Sequence, residues 1–272
     1  MKIIISHDID HITAKEHVND MIIPKFIIRN KIELFTGKIS FKEFNLRLKN
    51  IIKNKWNNIS EIMDYNEHHD IPETFFMGVN NGVGLYYGLD LAELWVNKIL
   101  KRGVDCGVHG ISYNNYEEVK REYDLFQQIS GLEHFGIRMH YLRNDSQTFE
   151  NLANAGYIFD STDYGIKKHY KIKNMHEFPL HIMEGYELEA GKKWQSKSTS
   201  EAVSSAIEKI KNAEKDGISY LTILFHDRYF DDSFLSWKNW YKAITDYCKA
   251  QSYEFVDYRG AIKEINSIDL IK

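Results

Sequence analysis

Ionisable side chains gather at the ends of the predicted β-strands of this chain. The carboxyl ends of parallel strands share one face of a sheet or barrel, so we expect these side chains to meet there. Imidazole and carboxylate together are the ligands of zinc and similar divalent ions. The pattern therefore favours a metal-binding site and does not by itself name a reaction. The residues concerned are His7, Asp8, Asp10, His11, His109, Arg138, His140, Asp160, His226 and Asp227.

Two carboxylates, Asp8 and Asp10, stand one residue apart just beyond an apolar strand. An extended chain points both to the same side, so that one can bind a cation while the other takes a proton. Alternatively, the pair caps a turn through backbone N–H groups. The glycine-flanked His109 is either a ligand or a packed strand-end residue. His226, followed by Asp227, is either a general acid held by a carboxylate or a structural histidine.

The elements that must position these residues alternate along the chain. Apolar runs, continuous rather than alternating, predict parallel strands buried on both faces. They lie at 3–6, 74–79, 104–109, 136–142, 157–161, 178–183, 220–226 and 253–256. Helical patterns fall between them, at 43–68, 90–102, 115–130, 146–155, 200–215 and 235–251. This α/β alternation, without a linker or repeat, predicts one domain over 1–272 with a basic helical insertion at about 20–60.

Composition excludes several classes of protein. The chain has 272 residues, 35 basic and 39 acidic, with 43% apolar residues, which is ordinary globular usage. Its two cysteines cannot form a disulfide framework, which fits a reducing compartment. The opening MKIIISHDID lacks the features of a signal peptide, and no window is apolar enough to span a membrane. We therefore expect a cytoplasmic protein. Its 12 histidines are more than we expect for this length.

Positive charge is concentrated between residues 21 and 56. This segment holds nine Lys or Arg against Glu33 and Glu43, a net +7 in a chain of net −4. One interpretation is a solvated helical face. The other is an anion-facing patch for a charged substrate or for peripheral contact with the inner face of a membrane, where the interleaved apolar residues would suit an interface. We expect no nucleic-acid partner, because the whole chain is acidic and carries no nucleic-acid motif.

Taken in order, the motifs resemble those of the polysaccharide deacetylases with a NodB-homology domain, carbohydrate esterase family 4. The resemblance covers nearly the whole chain except 20–60. It implies a single distorted (β/α) barrel with seven or eight parallel strands and a divalent metal, most simply zinc. It also implies that Asp8 is the catalytic base and Asp10 a metal ligand. His109 matches the first ligand of the family's His-x-x-x-His motif.

Three later motifs complete the resemblance. Gly136-Ile-Arg138-Met-His140-Tyr141 resembles the Arg-x-Pro-Tyr motif, in which Arg138 would orient the base and the Tyr141 N–H would bind the oxyanion. Phe159-Asp160-Ser161 matches a Tyr/Phe-Asp-Ser stretch. Leu224-Phe225-His226 matches the Leu-x-His motif, whose histidine is the general acid, and Asp227 or Asp160 could hold its ring.

The chain departs from the family pattern at two positions. Tyr113 stands where the second metal histidine belongs, and His140 replaces the usual proline. Catalytic zinc normally has three protein ligands, so a replacement ligand is needed. His140 is the one we favour; alternatives are oxygen from Tyr113, Asn114 or Asn115, or a swing of His7 or His11. A branch of the family associated with surface-polysaccharide gene clusters shares these changes.

The resemblance implies a metal-dependent hydrolase that removes an N-acetyl group from a sugar or glycan precursor during surface-polysaccharide biosynthesis. Two alternatives remain open. The departure at Tyr113 would suit a non-catalytic glycan-binding member of the same fold. Related barrels also cleave cyclic amides, so another carbon–nitrogen hydrolase is the second alternative.

Overall fold

The computed structural model describes residues 1–269, which form a curled, mostly parallel sheet with helices packed around it. The strands are β1 (Lys2–Ile9), β2 (Glu73–Met77), β3 (Asp105–Gly110), β4 (Ile137–Met139), β5 (Phe159–Asp160), β6 (Tyr170–Ile172), β7 (Met175–Glu177), β8 (Leu180–Met183), β9 (Tyr220–Leu224) and β10 (Glu254–Phe255). The helices are α1 (Ile22–Phe35), α2 (Phe41–Ile52), α3 (Ile59–His68), α4 (Leu89–Lys101), α5 (Tyr116–Ser130), α6 (Thr148–Ala155), α7 (Glu184–Glu189), α8 (Thr199–Lys215), α9 (Leu235–Ala250) and α10 (Tyr258–Asp269).

The sheet has the strand order β6-β7-β5-β4-β3-β2-β1-β9-β8, and β10 pairs with β1. Every pairing is parallel except that of β6 with β7. The segment after β5 also meets β8, because Leu180 N donates to Asp163 O at 2.7 Å and Gly165 N donates to Leu180 O at 3.0 Å. These bonds curl the sheet round on itself. The predicted distorted (β/α) barrel is confirmed.

Burial on both faces explains the continuous apolar runs. In β1, Ile3, Ile5 and Ile9 belong to the core between the sheet and the helices. Ile4 belongs to a smaller cluster inside the curled sheet, together with Phe159 and other large side chains. Strand residues alternate between the two faces, so Asp8 lies on the same inner side as Ile4. The inner cluster fills the barrel below the side chains that end the strands.

Two glycines make room for this inner cluster. A Cβ on Gly107 would lie 2.5 Å from the Gly136 carbonyl oxygen, and one on Gly136 would lie 2.2 Å from the Phe159 ring. Each glycine precedes a site residue by two positions, His109 on β3 and Arg138 on β4. The glycines thus occupy the layer below the site and let Phe159 enter beneath it.

The helices differ from the predicted ones in two respects. The pattern at 43–68 is interrupted between α2 and α3, where Asn54 adopts the left-handed conformation with φ 56° and Trp56 is buried. Helices α7 and α10 and the β6–β7 hairpin have no counterpart among the predicted elements. Within residues 1–269, no helix combines the length and the apolar character needed to cross a bilayer.

Candidate metal and active site

Asp10, His109 and His140 converge at the carboxyl end of the sheet. Asp10 Oδ1 lies 3.2 Å from His109 Nε2 and 3.2 Å from His140 Nδ1, and these two nitrogens are 2.9 Å apart. The ligand atoms of the three residues all lie within 4.8 Å of one another. β3 carries His109, while His140 comes directly after β4, the neighbouring strand. The residue that replaces the family's proline therefore reaches the ligands that the missing histidine would have joined.

Hydrogen bonds at the far side of each ring define the tautomers. His109 Nδ1 donates to Arg138 O at 3.1 Å, and His140 Nε2 donates to Val83 O at 3.1 Å. A carbonyl oxygen only accepts, so in the neutral rings His109 Nε2 and His140 Nδ1 carry lone pairs. Asp10 Oδ1 is buried and has no hydrogen-bond donor among the described residues. The three ligand atoms face one another, an arrangement that could hold a metal ion.

The electrostatics of the cluster favour positive charge. Burial alone would raise the pKa of Asp10, but the neighbouring imidazoles outweigh it and lower that pKa well below its usual value. Burial alone would lower the pKa of His140, but Asp10 raises it. The cluster offers two imidazoles and one carboxylate, and each imidazole donates its N–H to a backbone carbonyl. Such a donor set fits zinc and similar ions.

Asp8 lies beside the cluster and is held by Arg138. Arg138 Nη1 donates to Asp8 Oδ1 at 3.0 Å, and both side chains are almost completely buried. The rest of the guanidinium donates to Ser161 and to the hydroxyl of Tyr258. Asp8 Oδ2 is 3.8 Å from His109 Nδ1. The carboxylate is thereby fixed at the edge of the cluster of Asp10, His109 and His140.

His226 faces the cluster from the other side, and its partner is Glu184. Its Nε2 lies 3.5 Å from Asp10 Oδ2, and its Nδ1 donates to Glu184 Oε1 at 2.5 Å. Burial alone would lower the pKa of His226, but the charge of Glu184 and its hydrogen bond raise it well above the usual value. The ring is therefore held as a charged donor.

The expectation that Asp227 or Asp160 holds the His226 ring is wrong. Asp227 instead accepts a hydrogen bond from the backbone N–H of Asn58 at 2.8 Å, and burial raises its pKa to about 7. Asp160 accepts from the hydroxyl of Thr162 at 2.6 Å, deep under the site. Glu184 follows β8 directly, so the strand-end pattern that located the other site residues also marks Glu184.

His7, His11 and Tyr113 lie outside the ligand cluster. His7 points to the opposite face of β1, where its Nδ1 donates to Phe225 O at 2.6 Å. The ring of His11 packs 4.6 Å from His17, at the pocket wall. The Arg143 guanidinium stacks 5.2 Å over the Tyr113 ring, away from the pocket. Of the candidate histidines His7, His11 and His140, His140 is the one that the structure brings to Asp10 and His109.

The clustered side chains line the floor of a pocket of about 760 Å³; they are Asp8, Asp10, His109, His140 and His226. One wall is helix α1, which contributes Ile22, Lys25, Ile28 and Ile32. The sequence pattern did not predict this, because the packing of the basic insertion depends on contacts distant in the chain. The residues after β8 form another wall. Tyr141 stands at the rim, 67% exposed, with φ 57° in the left-handed region.

No family model matches the chain, and no curated protein does. A Mycobacterium smegmatis protein assigned as a polysaccharide deacetylase superposes with a TM-score of 0.68 at 12% identity, covering 98% of this chain and 91% of that one. The Puue allantoinase gives 0.60 at 11% identity, with 94% and 86% covered. A CE4 family pseudoenzyme from Bacillus anthracis gives 0.52 at 9% identity, with 95% and 64% covered.

The similarity to the Mycobacterium smegmatis structure extends over almost the full length of both chains. Because the sequence identity is only 12%, this similarity concerns the fold. The overall course of the backbone is what the two chains have in common. The fold that the motifs implied is confirmed. This chain has the fold of the polysaccharide deacetylases, the NodB-homology (β/α) barrel.

Proposed function

We propose that this protein is a metal-dependent hydrolase that removes the N-acetyl group from a sugar or glycan precursor, in the biosynthesis of a surface polysaccharide. The observation that carries the proposal is the convergence of three potential ligand atoms, on Asp10, His109 and His140. They lie between a buried carboxylate, Asp8, and an imidazole held by a carboxylate, His226. A ligand cluster, a base and an acid in one pocket are what amide hydrolysis requires.

Asp10, His109 and His140 would hold the ion, which we propose to be zinc. Such an ion supplies a Lewis acid for the amide carbonyl oxygen and lowers the pKa of water. Asp8 takes the proton of the attacking water, since its carboxylate is fixed by Arg138 and borders the ligand cluster. Arg138 is a positioning residue in this scheme, because its contacts are with Asp8 and with Ser161 and Tyr258 beneath the site.

His226 donates a proton to the nitrogen of the leaving sugar amine. Its Nδ1 is occupied by Glu184, so Nε2, which faces Asp10, is the nitrogen that can deliver the proton. The backbone N–H of Tyr141 stabilises the oxyanion, a contribution typically worth a few kcal/mol. The support for this role is the position of Tyr141 at the pocket rim, next to His140.

A matched pair of assays tests the proposal. Purified protein is stripped with a chelator and reloaded with zinc, and acetate release is measured on N-acetylated sugars, both free and nucleotide-linked. We expect acetate only from the loaded protein. Because an allantoinase shares the fold, a panel of cyclic amides is assayed in parallel. Ring opening without acetate release would assign the site to cyclic amides. Retention of metal with neither activity would indicate a non-catalytic glycan-binding protein.

A further inference from the structure

Exposed apolar side chains are concentrated on the insertion between β1 and α3. Among residues 1–269, eight large apolar side chains are more than half exposed, and six of these lie between 18 and 52. Met21, Ile28 and Phe35 are spaced by seven residues, two turns of α1, and so share one side of the helix. Their exposed fractions are 60%, 57% and 85%. At the two ends of α2, Phe41 and Ile52 are also exposed, at 68% and 85%.

The segment 21–56 of this insertion, which contains α1 and α2, turns positive charge outward. Its exposed lysines are Lys25, Lys31, Lys42, Lys49 and Lys53, and none of them makes an ion pair with a described residue. The two acidic residues are turned inward and buried. Glu33 is held by Arg29 and Arg47, and Glu43 accepts the backbone N–H of Ser40 at the start of α2. Burial of both acids thus leaves an outer face of lysines and large apolar groups.

We propose that this outer face of α1 and α2, the docking face, seats the protein on an anionic lipid bilayer. A helix face that mixes large apolar residues with lysines is suited to the boundary of acyl chains and phosphates, because the apolar groups enter the boundary while the lysine ammonium groups reach the headgroups. Each lysine near an anionic surface adds to the attraction, and salt screens it. Charge complementarity therefore selects the bilayer as the occupant.

The docking face is continuous with the mouth of the pocket. Lys25 and Ile28 belong to the exposed side of α1 and also line the pocket, and the exposed Tyr141 stands at its rim. Docking would therefore present the pocket mouth to the membrane. Docking combined with the proposed function makes a lipid-anchored N-acetylated glycan the substrate class. This assignment of the substrate rests on the proposed function, whereas the docking itself does not.

Vesicle sedimentation of the full chain tests the docking. The probes are vesicles of phosphatidylcholine alone and of phosphatidylcholine mixed with an equal amount of phosphatidylglycerol. We expect binding to the mixed vesicles, weakened by salt. The triple variant Lys31→Glu/Lys42→Glu/Lys49→Glu and the variant Phe35→Ser should each bind at least about tenfold more weakly. Lys211→Glu on α8 and Leu94→Ser on α4 are matched exposed controls and should bind like the parent.

Three results would overturn the proposal: no binding to either vesicle, equal binding to both, or parental binding by the triple variant. Sedimentation without lipid adds a further outcome. Self-association that Phe35→Ser abolishes, with no vesicle binding, would assign the docking face to a second copy of the chain. Acetate release from a water-soluble sugar should be unchanged in the triple variant, whose residues lie outside the pocket. Failure of docking is thereby distinguishable from failure of the proposed function.

Discussion

Glu184 Oε1 lies 2.5 Å from His226 Nδ1, at the point where β8 passes into α7. Glu184 is completely buried, and its other carboxylate oxygen has no donor among the described residues. A buried carboxylate with this single ring contact fixes the orientation of the imidazole and stabilises its charged form. The pair leaves His226 Nε2 facing Asp10 as the proton donor of the proposed reaction.

Replacement of this carboxylate tests the role of His226. We expect Glu184→Gln to lower kcat for acetate release by about 10²-fold, because a neutral amide no longer stabilises the charged ring. Metal content, measured by elemental analysis, should not change. Glu187→Gln is the matched control, since Glu187 is buried on the same helix but pairs with Lys209. Loss of metal in Glu184→Gln would mean that His226 is a ligand, which would refute its role as general acid.

Asp8 and Asp10 are predicted to have different roles, Asp8 as the catalytic base and Asp10 as a metal ligand. Asp8→Asn should lower kcat by roughly 10²–10⁴-fold, because the amide cannot accept the proton of the attacking water. The same variant should keep its metal, since the ligand cluster comprises Asp10 and two histidines. Elemental analysis and acetate release on one preparation make both measurements. Activity within tenfold of the parent would show that another group is the base.

Arg138 is predicted to stabilise the fold through Asp8. Arg138→Met leaves the Asp8 carboxylate buried without its cation, which should cost about 3–5 kcal/mol in the free energy of unfolding. In urea denaturation, the double variant Arg138→Met/Asp8→Asn should recover part of this loss, with a coupling energy of at least ~1 kcal/mol. Strict additivity of the two single variants would contradict a direct pairing.

The carboxyl groups of Asp160 and Glu177 form a pH-sensitive pair beneath the site. They occupy paired positions on β5 and β7, both completely buried. Burial, together with the charge of Asp160, raises the pKa of Glu177 well above its usual value, and burial also raises that of Asp160. At pH values between the unfolded-state and folded-state pKa values of these groups, the native state binds more protons than the unfolded state. The stabilisation that the pair contributes to the folded protein is therefore lost as the pH rises from about 4.

Glu177→Gln should remove much of that dependence. The quantity to follow is the unfolding free energy of the variant minus that of the parent, measured by urea denaturation at acidic and at mildly alkaline pH. This difference should increase by about 1–3 kcal/mol from the acidic to the alkaline value. Groups common to both proteins cancel in this difference. A difference independent of pH would contradict the raised pKa values of Asp160 and Glu177.

The barrel was predictable because its strands are buried on both faces. Each of the eight predicted apolar runs overlaps a strand, whereas the β6–β7 hairpin, with β6 largely exposed, has no such run. The strand-end pattern likewise located Asp8, Asp10 and His109. Strand alternation also explains why His7, next to Asp8, faces away from the site.

The remaining parts of the site depend on contacts between distant segments. Nothing local to α1 indicates that it lines the pocket. Its position follows from Glu33, buried with Arg47 of α2 and accepting the backbone N–H of Gln195 at 2.7 Å. The meeting of His140 with Asp10 similarly depends on the turn after β4, where Tyr141 and Leu142 both adopt positive φ. Such a turn has no glycine to signal it.

The metal content of His140→Ala tests the account most directly, because His140 is the residue that we propose as the replacement for the missing histidine ligand. Elemental analysis of the parent protein, purified in the presence of zinc, should give about one ion per chain. His140→Ala should lose the ion, as should His109→Ala, whereas His11→Ala, beside the pocket but outside the ligand cluster, should retain it. Parental metal content in His140→Ala would contradict the three-ligand site and, with it, the proposed mechanism.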